Sequence, residues 1–290
     1  MRVVLTISMV LLIAPACMGE STSQDRLSVV VSFYPLEEAA LRAGGDHVEV
    51  VDLTPPGVEA HDLELSPDDL ERIGAADLLL YLGGGFQPAV EDATSQVSGA
   101  AIDVIPAVGS LRPDPERELA SDPHVWLDPM LYAAVVAAVA DALAQQDPVN
   151  ADTYRANATA FSAELATLDQ RFAEGLSACR QRLLVTGHEA FGYLADAYGL
   201  EQIGVAGVSP EAEPTPEHLA EVRDLVQQQG VTTVFAEARL PQDAVDAIAS
   251  ETGASVAVLD PLETGTADAE EYVTRMERNL AAIRSGLSCD

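Results

Sequence analysis

NADTYRANATAFSAELATLDQRFAEGLS, residues 150–177, decides the architecture of this chain. Tyr154, Ala158, Phe161, Leu165, Leu168 and Phe172 recur every three or four positions among mostly polar neighbours, which predicts one long helix with a single buried stripe. At about 28 residues it would span roughly 42 Å, more than one small domain is wide, so it is expected to join two units. Asp147-Pro148 sets it off from a preceding Ala-, Val- and Leu-rich helix that starts at Pro129.

The same pattern stands on both sides of that helix. Before it, Leu27–Phe33 (LSVVVSF) is a run of β-branched and apolar residues that stops at Tyr34-Pro35 and leads into a helix over 36–43. Further strands are expected over His47–Leu53, Asp77–Leu82 and Ala101–Ile105, with Ser66 capping a helix that opens at Pro67. After it, strands are expected at Leu183–Thr186, Thr232–Phe235 and Ser255–Leu259, alternating with helices over 190–198 and 244–250 and closed by one over 269–287. Alternating strand and helix with short connections indicates an α/β chain whose parallel sheets are covered on both faces. The expected boundaries are an N-terminal lobe over 27–148, a linking helix over 149–178 and a C-terminal lobe over 179–290.

Composition narrows the function. The chain of 290 residues carries 47 Asp and Glu against 15 basic residues, all of them Arg, for a formal charge of −32. Nucleic-acid binding needs clustered cations to displace condensed counterions, so that class is excluded, and adhesion to an anionic membrane is disfavoured. A cationic ligand suits the charge better. With 48% apolar residues the chain has ample material for a core.

Met1-Arg2, the apolar run Val3–Ile13 and Ala14-Pro15-Ala16 read as a signal peptide over 1–16, too short to span a bilayer. Small residues leading into Cys17 resemble a bacterial lipobox, which makes Cys17 the expected lipidated residue and 17–26 a polar tether; ordinary cleavage nearby is the alternative. Either reading places the protein outside the cytoplasm. Cys179 and Cys289 then remain as an even pair in an oxidising compartment, and a disulfide is expected between them, against the alternative of two free thiols.

Three of five histidines lie in loops after strands or before helices: His61 in PPGVEAHDLELSP, His124 in DPHVWLDP and His188 in TGHEAFGYL. Asp260 in VLDPLET is a fourth strand-end residue. Side chains just past the carboxyl ends of parallel strands face the crevice where such sheets bind ligands. Three imidazoles and a carboxylate make a metal-ligand set, although their separations are too wide for a zinc finger or an HExxH helix, and only a two-domain fold brings them together. His47 and His218 are read as structural or solvated. Gly83-Gly84-Gly85 lacks the Lys and Ser/Thr of a phosphate loop and is read as a tight turn.

The phrases PGVEAHDLELSP, YLGGGF, DPHVWLDP, VTGHEAFGYLADAYGL, GVSPEAEPTPEHL and LDPL resemble, in matching order, those of the zinc and manganese solute-binding proteins of bacterial ABC transporters. The resemblance covers nearly all of the chain after residue 26. It implies two similar lobes, each a parallel sheet flanked by helices, joined by one rigid helix with the metal in the cleft between them. It implies His61 and His124 as ligands from the first lobe, and His188 and Asp260 from the second. His at position 188 points to Zn²⁺ over Mn²⁺, in keeping with imidazole's preference for the softer ion. The implied role is binding without catalysis, by a monomer that passes zinc to a membrane permease driven by a cytoplasmic ATPase. A manganese carrier, a surface adhesin and a secreted zinc hydrolase are the alternatives. Glu59, Asp62, Asp122 and Glu189 are candidates to orient the imidazoles, and whether Glu59 or a water joins the shell stays open. Residues 111–121 (LRPDPERELAS) stand where many zinc members of the family have a long His-rich loop, and contain no His.

Overall fold

The computed structural model describes residues 26–109, 111–113, 119, 121–210, 213–237, 243–266 and 269–290. The signal peptide, Cys17 and the tether up to residue 25 lie outside the described residues.

In the first lobe β1 (Leu27–Val31), α1 (Tyr34–Gly44), β2 (Val48–Asp52), α2 (Pro67–Ala75), β3 (Leu78–Tyr81), α3 (Pro88–Ala93) and β4 (Ala100–Asp103) alternate, followed by α4 (Pro129–Gln146). The long helix α5 runs over Ala151–Leu176. The second lobe repeats the pattern with β5 (Leu183–Thr186), α6 (Gly192–Ala197), β6 (Glu201–Gly204), α7 (Pro216–Gln229), β7 (Thr233–Glu237), α8 (Asp243–Thr252), β8 (Ser255–Leu259) and α9 (Tyr272–Gly286). The two sheets are parallel throughout and share one topology, β2-β1-β3-β4 and β6-β5-β7-β8. Strand order reverses between β1 and β3 and between β5 and β7, the places where open parallel sheets form ligand crevices.

Local chemistry fixes the elements. Ser66 and Asp69 form a reciprocal capping box at the start of α2, and Asp128 accepts hydrogen bonds from the Met130 and Leu131 amides at the start of α4. Along α5, Tyr154, Ala158, Phe161, Leu165, Leu168, Phe172 and Leu176 are buried. That stripe packs into one apolar cluster that includes Val29 and Leu80 of the first sheet and Phe235 and Leu259 of the second. A shared core of this kind makes α5 a strut between the lobes. Smaller clusters sit under the outer helices of each lobe.

The expected disulfide is present: Cys179, just past α5, is bonded to Cys289, just past α9. Two differences from the sequence reading concern short elements. The strand β6 is missing from that reading because Glu201 and Gln202 interrupt its apolar pattern; it is a sheet edge, where Glu201 is exposed and the Gln202 amide donates to Thr186 Oγ1 and the His188 carbonyl. The expected strand at His47 starts one residue later, because Gly45–His47 forms a tight helical turn.

Candidate metal centre

His61 sits in the loop after β2. Gln87, 1% exposed, donates to the carbonyls of Ser32 and Ala60 at 3.2 and 3.1 Å and so pins that loop to the end of β1. Phe86 packs edge-on against the His61 ring, 4.6 Å between centroids. The glycine run before it makes the predicted turn, with Gly84 and Gly85 at φ of 89° and 91°, where a side chain would be strained.

His124 is fully buried, and its Nδ1 lies 2.8 Å from Asp122 Oδ1, which also accepts from the His124 backbone amide at 3.0 Å. His188, also fully buried, lies two residues past β5. Its amide donates to Glu237 Oε1 at 3.0 Å, and its Nδ1 is 2.6 Å from Glu237 Oε2. A carboxylate on Nδ1 fixes the ring and leaves Nε2 as the free coordinating atom.

Those Nε2 atoms converge. His124 Nε2 is 3.3 Å from both His61 Nε2 and His188 Nε2. Glu263, 2% exposed, brings Oε1 to within 3.3, 3.4 and 3.8 Å of the Nε2 atoms of His124, His188 and His61. A tetrahedron with edges of 3.3–3.8 Å has its centre ~2.0–2.3 Å from its corners, close to the ordinary zinc–nitrogen and zinc–oxygen distances. Glu263 is buried, and the polar groups that reach its oxygens are the three imidazoles and the Glu59 carboxyl. An anion buried against three imidazoles is balanced by protons on the rings or by a metal cation.

The electrostatics agree. Burial opposes charge on Glu263, but the three imidazoles outweigh it and hold the carboxyl well below the usual range. Burial also opposes protonation of His124 and His188, yet Asp122, Glu237 and Glu263 outweigh it and raise both. On His61 burial prevails and lowers the value. Without a metal the anion is balanced by protons on imidazole, and a divalent cation would displace them. Beside the cluster, burial and then the charge of Glu263 push the Glu59 carboxyl up to about 9.

Asp260 requires a correction. The structure brings His61, His124 and His188 together, but the fourth member of the group is Glu263, three residues beyond the expected carboxylate. Both Asp260 oxygens are occupied at 2.7 Å by Arg275 of α9, whose guanidinium is buried. Asp260 Oδ1 also accepts from the Leu262 amide at 2.9 Å, and Leu262 adopts φ of 58°. Asp260 thus folds the turn that delivers Glu263. Of the candidate orienting carboxylates, Asp122 holds an imidazole. Glu237, which holds another, was missed; its place at the end of β7 was the available signal. His218 bonds the Gly204 carbonyl at 2.9 Å, and His47 packs against Tyr154, so both stand outside the cluster.

Comparison with known proteins gives one family. The model of zinc-uptake complex component A, periplasmic, matches residues 29–286. The zinc-binding lipoprotein AdcA of Streptococcus pneumoniae is 32% identical over 93% of the chain, which spans 57% of AdcA's length, little more than half. The high-affinity zinc uptake system protein ZnuA of Bacillus subtilis is 30% identical over 95% of the chain and 94% of its own length. Among solved structures, the laminin-binding protein Lmb of Streptococcus agalactiae, described as having adhesin and metal-transporting activity, superposes with a TM-score of 0.84 at 32% identity, over 91% of this chain and all of Lmb.

Proposed function

Because the chain belongs to the family of periplasmic zinc-uptake component A, we propose that it is an extracytoplasmic carrier that binds one Zn²⁺ through His61, His124, His188 and Glu263. It would hand the ion to an ABC-transporter permease powered by a cytoplasmic ATPase. The observation that carries this reading is the convergence of three Nε2 atoms on one oxygen of a buried carboxylate. Three imidazoles and a single carboxylate favour Zn²⁺ over the harder Mn²⁺, which also stands lowest in the affinity series of first-row divalent ions. Four protein ligands fill a tetrahedral shell, and a filled shell has no open position for a reacting water, so the site suits a carrier better than a hydrolase.

The export signal and Cys17 support a protein tethered to a membrane by lipid on residue 17, which we read as a monomer with lobes over 27–148 and 179–290 and the linking helix over 149–178 between them. Cross-lobe bonds support limited closure: Thr264 accepts from the Gly57 amide at 2.9 Å, and Trp126 donates to the Pro261 carbonyl at 2.7 Å. Loading and release would then proceed by loop rearrangement around the cluster. The reading is tested by titrating metal-free protein with Zn²⁺ against a competing chelator, then with Mn²⁺. One equivalent of tightly held zinc that manganese does not displace is expected. Binding unaltered in the His124→Ala, His188→Ala double variant would overturn it.

A further inference from the structure

Arg112, on the chain leading to His124, reaches across to the other lobe. Arg112 makes an ion pair with Asp196 of α6, the helix that begins four residues after His188. Its Nε lies 3.4 Å from Asp122 Oδ2, an ion pair without hydrogen-bond geometry, on the carboxylate whose other oxygen holds His124 Nδ1. Its amide donates to the Tyr193 hydroxyl at 2.9 Å, and that hydroxyl donates to the Asp122 carbonyl at 2.9 Å. The Asp122 amide in turn donates to the Arg112 carbonyl at 3.1 Å. The guanidinium packs directly against the backbone of α6 at Gly192, where a Cβ would lie 2.7 Å from Arg112 Nε.

We propose that Arg112 is a positioning residue for the metal centre, tying the Asp122–His124 support of the first lobe to the helix behind His188 in the second, so that this contact sets how fast the ion leaves. A forked guanidinium can serve two carboxylates in fixed directions, and here one orients a ligand while the other belongs to the opposite lobe. Breaking the contact takes the cation from the Asp122 carboxylate, which loosens His124 without removing any ligand. The inference rests on the cluster being a zinc site.

The test is stopped-flow release of zinc into excess chelator, with association measured separately, for wild type, Arg112→Ala, Asp196→Ala and the double variant. Asp196 is exposed, so its variant checks the contact even if Arg112→Ala fails to fold. Release about two- to fivefold faster in each single variant is expected, the size of one partly exposed ion pair, with association unchanged. The double variant should be no faster than either single one. Arg112→Lys should restore part of the effect, and the ligand-field spectrum of Co²⁺-loaded Arg112→Ala should shift. Asp141→Ala, which breaks the surface pair with Arg155, should match wild type. Wild-type release in Arg112→Ala, or effects of the two single variants that multiply, would overturn the inference while leaving the zinc site standing. Failure of wild type to bind zinc would overturn both.

Discussion

Arg275 donates two hydrogen bonds of 2.7 Å to the two oxygens of Asp260, and this pair determines which carboxylate faces the three imidazoles. The Arg275 guanidinium also donates to the Thr264 carbonyl at 2.9 Å and packs over the Tyr34 ring, while Asn279 brackets the Asp260 backbone at 2.9 and 2.6 Å. The loop between Asp260 and Thr264 is therefore held at both ends, with Glu263 projecting from it. Glu263→Ala should lower zinc affinity by about 100-fold or more, and Asp260→Asn, which keeps the Leu262 cap, by about tenfold. Asp260→Ala should also destabilise the metal-free protein, toward the low end of roughly 3–5 kcal/mol, because it leaves Arg275 buried without its anion. Zinc competition and chemical denaturation measure the two effects; greater zinc loss in Asp260→Asn than in Glu263→Ala would reverse the assignment.

Asp52, at the end of β2, gives a pH dependence away from the metal. Burial pushes its carboxyl up to about 8, against the hydrogen bond from the Thr54 amide and with help from the charge of Glu37. The folded chain thus holds a proton that the unfolded chain gives up near pH ~4. This contribution to stability is fully present below about pH 4 and is lost as pH rises through about 8. Asp52→Asn cannot ionise and keeps the Thr54 bond. Its Tm should match wild type near pH ~4 and exceed it by ~2–4 °C per kcal/mol gained near pH ~9. A difference that stays constant with pH would contradict this.

The Cys179–Cys289 bridge closes a loop of 110 residues and ties the end of α5 to the end of α9. On the chain-entropy view such a loop contributes up to about 4–5 kcal/mol, and removal in practice often costs less. Cys179→Ser with Cys289→Ser should lower Tm by roughly 5–15 °C. Zinc stoichiometry should stay at one, since the bridge does not belong to the cluster. Calorimetry of the metal-free and loaded forms checks both parts.

A formal charge of −32 with only 15 cations makes self-repulsion a persistent load on the folded state. Raising NaCl from about 0.1 M to about 1 M shortens the screening length from roughly 10 Å to roughly 3 Å. The Tm of metal-free protein should rise over that range, with KCl acting like NaCl. A Tm that falls would show that the surface ion pairs, such as Arg155 with Asp141 and Arg26 with Glu49, outweigh the excess of anions.

What could be read from the sequence follows from which interactions are local. The α5 stripe, the strands ending near His188 and Asp260, and the cap at Ser66 are written in neighbouring residues, and the sequence predicts each of them. The three histidines were legible because each stands in a loop beside a regular element, in phrases that carry the family resemblance. Glu263 was not. The strand-end position of Asp260 made it the natural choice, and what removes it is a guanidinium from α9, fifteen residues later in the chain, whose approach depends on how that helix packs. Glu237 was missed for the same reason: its contact with His188 spans two strands of a sheet. Arg112 lies in a segment where the only local signal was an absence of histidine.

The central claim is tested most directly by a crystal structure of the zinc-loaded protein with anomalous diffraction at the zinc edge. The account predicts one peak, ~2.0–2.1 Å from the Nε2 atoms of His61, His124 and His188 and from an oxygen of Glu263, with Asp260 still on Arg275. A peak coordinated by Asp260 in place of Glu263, or one outside this cluster, would contradict it.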